Sequence, residues 1–137
     1  LNKIIFNTDK SIEVIPINID ESALNRLEEN TLFFFTGFTR FASDVAKHQI
    51  DITPKKTSEL KIMYQMVDEG LSILKNSGSL VKDFGELLNE SWMIKKNLTN
   101  KISNSQIDEI YNAAINNGAY GGKVLGAGGG GFIVFYA

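Results

Sequence analysis

The residues with the clearest chemical potential are a dense run of glycines beside a lysine. Gly118-Ala119-Tyr120-Gly121-Gly122-Lys123-Val124-Leu125-Gly126-Ala127-Gly128-Gly129-Gly130-Gly131-Phe132 holds most of the chain's 12 glycines. Glycine gives up more backbone freedom on folding than any other residue, so this density implies a backbone role that side chains would block. Bare amide N–H groups can curl into a concavity for an anion, or let a ligand or neighbouring loop come very close. The competing reading is a plain hairpin loop, where glycine is common. Both stay open on the residues alone.

Named phosphate motifs fit poorly. Gly126, Gly128 and Gly131 match G-x-G-x-x-G, but a dinucleotide turn opens a helix within a βαβ unit. Here an apolar β-type run, Phe132–Tyr136, follows and the sequence stops. A protein-kinase glycine loop needs a catalytic loop and a metal-binding Asp downstream. The Gly118–Lys123 segment is one residue short of a P-loop and carries Val124 where Ser or Thr should bind magnesium.

Other candidate groups are basic. Arg40 follows Thr36-Gly37-Phe38-Thr39 at a strand-to-helix junction, a place for a phosphate or carboxylate fork, or for a solvated arginine. Lys95 and Lys96 end a helical stretch, where cations suit the helix dipole without further function. His48 is the one histidine and, among polar neighbours, receives no role.

The elements that must position these groups follow from periodicity. Lys3–Phe6 and Ser11–Ile19 are β-branched runs joined by the turn Asn7-Thr8-Asp9-Lys10. Pro16 cannot donate to a ladder, so the second run belongs at an edge or bulge. Asp20–Asn30 reads as a short surface helix. Thr31–Phe38, with Leu32, Phe33, Phe34 and Phe35 apolar on both faces, reads as a central, doubly covered strand. Phe41–Gln49 forms a helix that ends before Pro54. A long helix from Thr57 carries the stripe Leu60, Met63, Val67, Leu71 and Leu74. Ser79 caps the next helix, which buries Leu80, Phe84, Leu87 or Leu88, and Trp92. Ser103 and Gln106 make a capping box for the last, with Ile107, Ile110, Tyr111, Ala114 and Ile115 inward. Gly118 suits the left-handed position beyond that helix. Lys123–Leu125 and Phe132–Tyr136 then close a hairpin.

Strands, helices, then strands make an α+β pattern: an antiparallel sheet of about four strands, helices on one face, in a ferredoxin-like layer. The closing hairpin is expected to pair with the early strands, bringing both ends of the chain into one sheet. The 137 residues suit one domain. A formal charge of −2 gives no reason to expect nucleic acid or an anionic membrane. There is no cysteine, no apolar run of membrane-spanning length and no secretory signal, so a cytoplasmic setting is expected. Leu1 is not an initiator Met, and the chain reads as cut from something longer.

The segment from Gly118 to Phe132 resembles the third signature motif of the GHMP kinases, named for galactokinase, homoserine, mevalonate and phosphomevalonate kinases. Order and spacing agree: helix end, Gly-Ala, Gly-Gly-Lys, strand, glycine loop, aromatic strand. Thr36-Gly37, Arg40-Phe41-Ala42-Ser43 and the stretch from Phe84 to Lys96 resemble one branch, the D-glycero-D-manno-heptose 7-phosphate kinases. The resemblance implies that residues 1–137 are the C-terminal domain of a two-domain kinase. Such a kinase transfers the ATP γ-phosphate, with Mg2+, to C1 of a heptose 7-phosphate for bacterial surface glycans. The family's phosphate loop and catalytic Asp lie in the N-terminal domain, and neither motif occurs here. No catalytic residue and no metal ligand is therefore expected in this chain, which alone should be inactive; ATP should not bind it tightly. The resemblance further implies that Gly126, Ala127, Gly128, Gly129 and Gly130 form the wall facing the nucleotide phosphates. Arg40, Lys95 or Lys96 would meet the sugar's distant phosphate, Lys123 the reacting end, and Gly37 would belong to the substrate-binding set. The alternative from another class is a non-catalytic regulatory module whose glycine loop senses an anion.

Overall fold

The computed structural model describes residues 1–39, 42–76 and 78–137. Arg40, Phe41 and Ser77 lie outside the described residues. The chain begins with a hairpin, β1 (Asn2–Phe6) and β2 (Ile12–Pro16), followed by α1 (Glu21–Glu29) and β3 (Thr31–Phe35). Four helical elements follow: α2 (Ala42–Ile52, continued by a 3-10 turn, Thr53–Lys55), α3 (Thr57–Asn76), α4 (Leu80–Lys96) and α5 (Ser105–Asn116). The chain ends in β4 (Gly121–Val124) and β5 (Phe132–Tyr136). The α+β class expected from the sequence is the one found.

The sheet is smaller than expected and differently ordered. Its order is β3-β5-β4, all antiparallel, and β1-β2 form a separate two-stranded sheet. The closing hairpin therefore pairs with β3 (Thr31 opposite Tyr136, Phe35 opposite Phe132) and not with β1 or β2. A turn of Asn7–Lys10, with Lys10 at φ +71, sets the hairpin register of Asn2 with Pro16. Both strands of that hairpin are edges, which is where Pro16 can sit without breaking a ladder. Its apolar side chains stay in the open, Phe6 being 76% exposed.

The strand with both faces covered is β5, not β3. Ile133, Val134 and Phe135 are successive and all buried, whereas Leu32, Phe33, Phe34 and Phe35 are all largely exposed. An apolar run on both faces marks a strand that needs cover, and the cover for β3 is not supplied within the described residues.

Packing is also not confined to one face. Ile133 and Phe135 join Val124 from β4, Val45 from α2, Trp92 from α4, Ile102, and Ile107 and Tyr111 from α5 in the main core. Tyr136 faces the other way and meets the second cluster, Ala23 and Leu27 of α1 and Leu80 of α4, with Phe84. The helix α4 serves both clusters because it runs along β4. At about 1.5–3 kcal/mol for each fully buried large apolar side chain, the main core outweighs anything the solvent-swept β1-β2 hairpin contributes.

Helix boundaries follow local capping chemistry. Asp20 caps α1, its carboxylate accepting from the Ala23 N–H at 2.7 Å. At α5 the cap is Asn104, accepting from the Ile107 N–H at 3.0 Å, rather than Ser103; the Ser103 hydroxyl instead donates to Asp108. In α3 the inward line passes through Met66 and Gly70, leaving Val67 46% exposed, so the stripe is rotated from the one read in the sequence. Leu87 rather than Leu88 is the fully inward leucine of α4.

Tyr111 ties α5 to the site-bearing hairpin. Its buried hydroxyl lies 2.8 Å from Asn89 Oδ1 and 3.1 Å from the Gly122 carbonyl, two acceptors that share its one proton. Burial pushes the phenol up to about 12, against a smaller opposing pull from its bond to Gly122. A neutral phenol favoured in the fold contributes stability that is complete below pH 10 and is lost as pH rises toward 12. Tyr111→Phe should cost about 1–2 kcal/mol near neutrality by orphaning the Gly122 carbonyl. It should also lessen the alkaline loss between pH 10 and 12. Urea titrations at pH 7.5 and 11 check both, and an unchanged midpoint at pH 7.5 would contradict the role.

Candidate functional site

The glycine segment begins where α5 stops. Gly118, at φ +101, turns the chain out of the helix, and β4 carries it to Leu125. The Leu125 N–H donates to the Phe132 carbonyl at 2.9 Å, closing a loop over residues 126–131. Gly126, Gly128, Gly129 and Gly131 all take left-handed φ values there, between +69° and +101°. Such values strain residues with a Cβ, which accounts for glycine at these positions.

The loop is held at both ends and in the middle. Lys95 Nζ donates to the Gly126 carbonyl at 2.6 Å, and Gln49 Nε2 to the Ala127 carbonyl at 2.8 Å. Thr36 donates twice to the Gly131 carbonyl, from its backbone N–H at 2.8 Å and its hydroxyl at 2.9 Å. The Gly129 N–H donates to Ile102 O at 2.8 Å, and the Gly131 N–H to Phe38 O at 2.9 Å. A plain floppy hairpin loop would not be bolted this way.

These bonds leave an imbalance. Three of the loop's carbonyls are occupied by donors from α4, α2 and β3. The N–H groups of Gly126, Ala127, Gly128 and Gly130, by contrast, donate to no acceptor among the described residues. Unused amide donors on a fixed backbone beside a lysine are groups of the kind that receive an anion. Close approach also operates, but within the chain. A Cβ at Gly128 would stand 2.7 Å from Ile102 O, and one at Gly130 would stand 2.9 Å from Phe38 O.

The other candidates separate cleanly. Gly37, at φ +84, is exposed with open space where a Cβ would go, so its turn conformation is what calls for glycine. It adjoins the loop through its neighbours Thr36 and Phe38. Lys95 lies against the loop. Lys123, on β4, is half-buried, and its ammonium has no acceptor among the described residues. Burial lowers the Lys95 ammonium to about 8, and the nearby Lys123 charge lowers it further within that value; burial lowers Lys123 as well. Lys96 turns away to Asp108 at 3.5 Å and is not part of this group. Replacing it, Lys96→Met, should change stability by less than about 1 kcal/mol and leave anion binding at the loop intact, as thermal melts and phosphate titration would show. Arg40 lies outside the described residues.

Sequence reading passed over Gln49, Thr36 and Ile102, which fix the loop. Gln49 ends the expected helix, while Thr36 lies inside the expected strand Thr31–Phe38, so polarity at an element's end signals Gln49 alone. A cavity of about 280 Å³ opens beside Lys123, between the β1-β2 hairpin and helices α3 and α4, and is walled largely by Met66, Leu71, Phe84 and Leu87. Ser91 of α4 borders it with Lys123. Among the described residues no group of three carboxylates or imidazoles is placed to hold a metal, and no helix is long and apolar enough to cross a membrane.

With this geometry in hand, comparison with known proteins is informative. Residues 77–137 match the family model described as GHMP kinases C terminal. The chain is 35% identical over 135 residues to D-glycero-alpha-D-manno-heptose 7-phosphate kinase of Campylobacter jejuni, covering 96% of this chain and 39% of that protein. Among solved structures, mevalonate kinase of L. major in complex with R-mevalonate superposes with a TM-score of 0.72 at 20% identity, over 95% of this chain and 38% of that one. A D-glycero-D-manno-heptose 1-phosphate kinase of B. thetaiotaomicron superposes with a TM-score of 0.54 at 24% identity, over 99% of this chain and 34% of that one. The chain thus spans about two fifths of the length of the heptose kinase it matches.

Proposed function

We propose that the chain is the C-terminal domain of a GHMP kinase and forms one wall of a sugar-kinase active site. The other wall, with the main phosphate loop and catalytic Asp, is an N-terminal kinase domain of the same polypeptide. The reaction is transfer of the ATP γ-phosphate, with Mg2+, to C1 of D-glycero-D-manno-heptose 7-phosphate. The observation that carries this reading is the set of unused amide donors at Gly126, Ala127, Gly128 and Gly130. Phosphoryl transfer proceeds mainly by positioning and by charge stabilisation, and fixed N–H dipoles supply both without reorganising.

Each residue then has a task. The loop amides face the nucleotide phosphates and keep water from them. Lys95 and Lys123 supply positive charge beside that wall, and Gly37 borders the acceptor. Magnesium, when bound, screens the phosphate charge; its protein ligands belong to the N-terminal domain. The bare aromatic strand β3 is the face that domain covers.

ADP release by the intact polypeptide, offered the heptose 7-phosphate, galactose, fucose and mevalonate in turn, tests the proposal. Turnover with the heptose phosphate, and none from residues 1–137 alone, is the expected pattern. Phosphate binding without turnover on any acceptor would instead favour a non-catalytic, anion-sensing module in a cytoplasmic setting.

A further inference from the structure

We propose that Lys95 and Lys123 close on one and the same phosphoryl group, held against the free amides of Gly126, Ala127 and Gly128. The family resemblance instead assigns Lys95 or Lys96 to the sugar phosphate and Lys123 to the reacting end. The inference deepens the kinase reading and rests on it for the nature of the anion.

Lys3, Lys56, Lys82 and Lys96 each stand against a carboxylate: Asp68, Glu59, Glu86 and Asp108. Lys95 and Lys123 have no such partner among the described residues, although both are half-buried. Both flank the start of the glycine loop, and the charge of Lys123 acts on Lys95. Lys123 lies three residues before Gly126 on β4, and Lys95 reaches from the end of α4 to the Gly126 carbonyl at 2.6 Å.

Two cations held near each other and partly out of water repel, and burial deprives each of solvation. A dianion between them removes both penalties at once. It also finds the three neighbouring N–H donors that the protein leaves unused. Among the described residues the Gly126 carbonyl is the one acceptor of Lys95, and one short bond leaves two of its three N–H donors for a ligand. Nothing comparable surrounds Lys96, whose charge Asp108 already answers.

The arrangement has a pH signature. Lys95 sits at about 8, chiefly from burial and then from Lys123, the one titratable group among the described residues whose charge acts on it. Above that pH the free protein loses the Lys95 charge, so affinity for a dianion should fall as pH rises from 7.5 to 9.5.

The test is titration of inorganic phosphate into the isotopically labelled chain, following backbone amides by NMR. One phosphate per chain should move Gly126, Ala127 and Gly128 together, and binding should weaken about tenfold between pH 7.5 and 9.5. Lys95→Met and Lys123→Met should each weaken that same isotherm at least fivefold. Lys95→Arg should retain binding and lose the pH dependence, since a guanidinium does not titrate there; it also keeps the test decisive if a Met variant fails to fold. Parallel titrations with pyrophosphate and with glucose 6-phosphate distinguish a nucleotide-type from a sugar-type source, the tighter ligand naming it. A two-site isotherm, still amides, or a folded Met variant with parental affinity would overturn the proposal. None of these readouts uses turnover, so failure here is distinct from failure of the kinase assay.

Discussion

Gly121→Ala is expected to be the most destabilising single-methyl change in the chain, at about 3 kcal/mol or more. A Cβ at Gly121 would overlap the Gly85 carbonyl oxygen outright, and would stand 2.7 Å from that carbonyl carbon and 2.8 Å from Asn89 Cβ. The reverse contact is equally tight, since a Cβ at Gly85 would come within 2.7 Å of Tyr120 Cβ. Helix α4 and strand β4 therefore meet backbone to backbone across a glycine pair. Backbone atoms cannot swing aside as a side-chain tip can, so relief requires moving the whole helix. That helix carries Asn89, Trp92 and Lys95, and the displacement would draw the Lys95 ammonium away from the loop. Urea unfolding should show a lower midpoint with an unchanged slope. A loss under about 1 kcal/mol would mean that the two elements can part at little cost.

On the proposed kinase reading, Gly129→Val should cut turnover of the intact polypeptide by more than a hundredfold. Gly129 is buried at φ +79, and its N–H is committed to Ile102 O. A β-branched side chain at that φ costs on the order of 1–3 kcal/mol of backbone strain. The loop can shed this strain by turning peptides over, which would aim the donors at 128 and 130 elsewhere. On the sequence alone, glycine density argues for lost turnover with folding intact. The buried left-handed backbone adds a drop of several degrees in thermal midpoint. Gly126→Ala is the contrast, because its Cβ would enter open space and meets only the φ penalty of about 1–2 kcal/mol. Steady-state kinetics of both variants with ATP check this; a Gly129→Val enzyme within threefold of its parent would remove the anion-cradle argument.

How much of this was legible beforehand depends on whether a feature is local. The Asn7–Lys10 turn, the Asp20–Asn30 helix, the break at Pro54 and the left-handed Gly118 are decided by a few adjacent residues, and all are found. The glycine loop was legible for the same reason, its oddity being contiguous. What failed was partnership across the chain. Phe33 and Phe35 read as interior because apolar faces seek cover, but sequence cannot say whether the cover lies in the same 137 residues. Ser103 and Asn104 are both good caps, and only the backbone at Asn104, extended at φ −149°, decides between them. The division between Lys95 and Lys96 was beyond reach for a related reason. Adjacent helical residues point about 100° apart, and which one meets the loop depends on how α4 crosses β4.

One consequence follows from Thr36. It is the residue where β3 ends, and with both its donors it grips the last carbonyl of the glycine loop. The greasy ribbon that invites a companion and the frame that orients the peptide dipoles are thus one continuous piece of chain. Seating a neighbour on Phe33 and Phe35 would clamp that ribbon and, through a two-pronged latch, quiet the loop as well. Assembly of the two halves and readiness for the phosphate would then be mechanically linked.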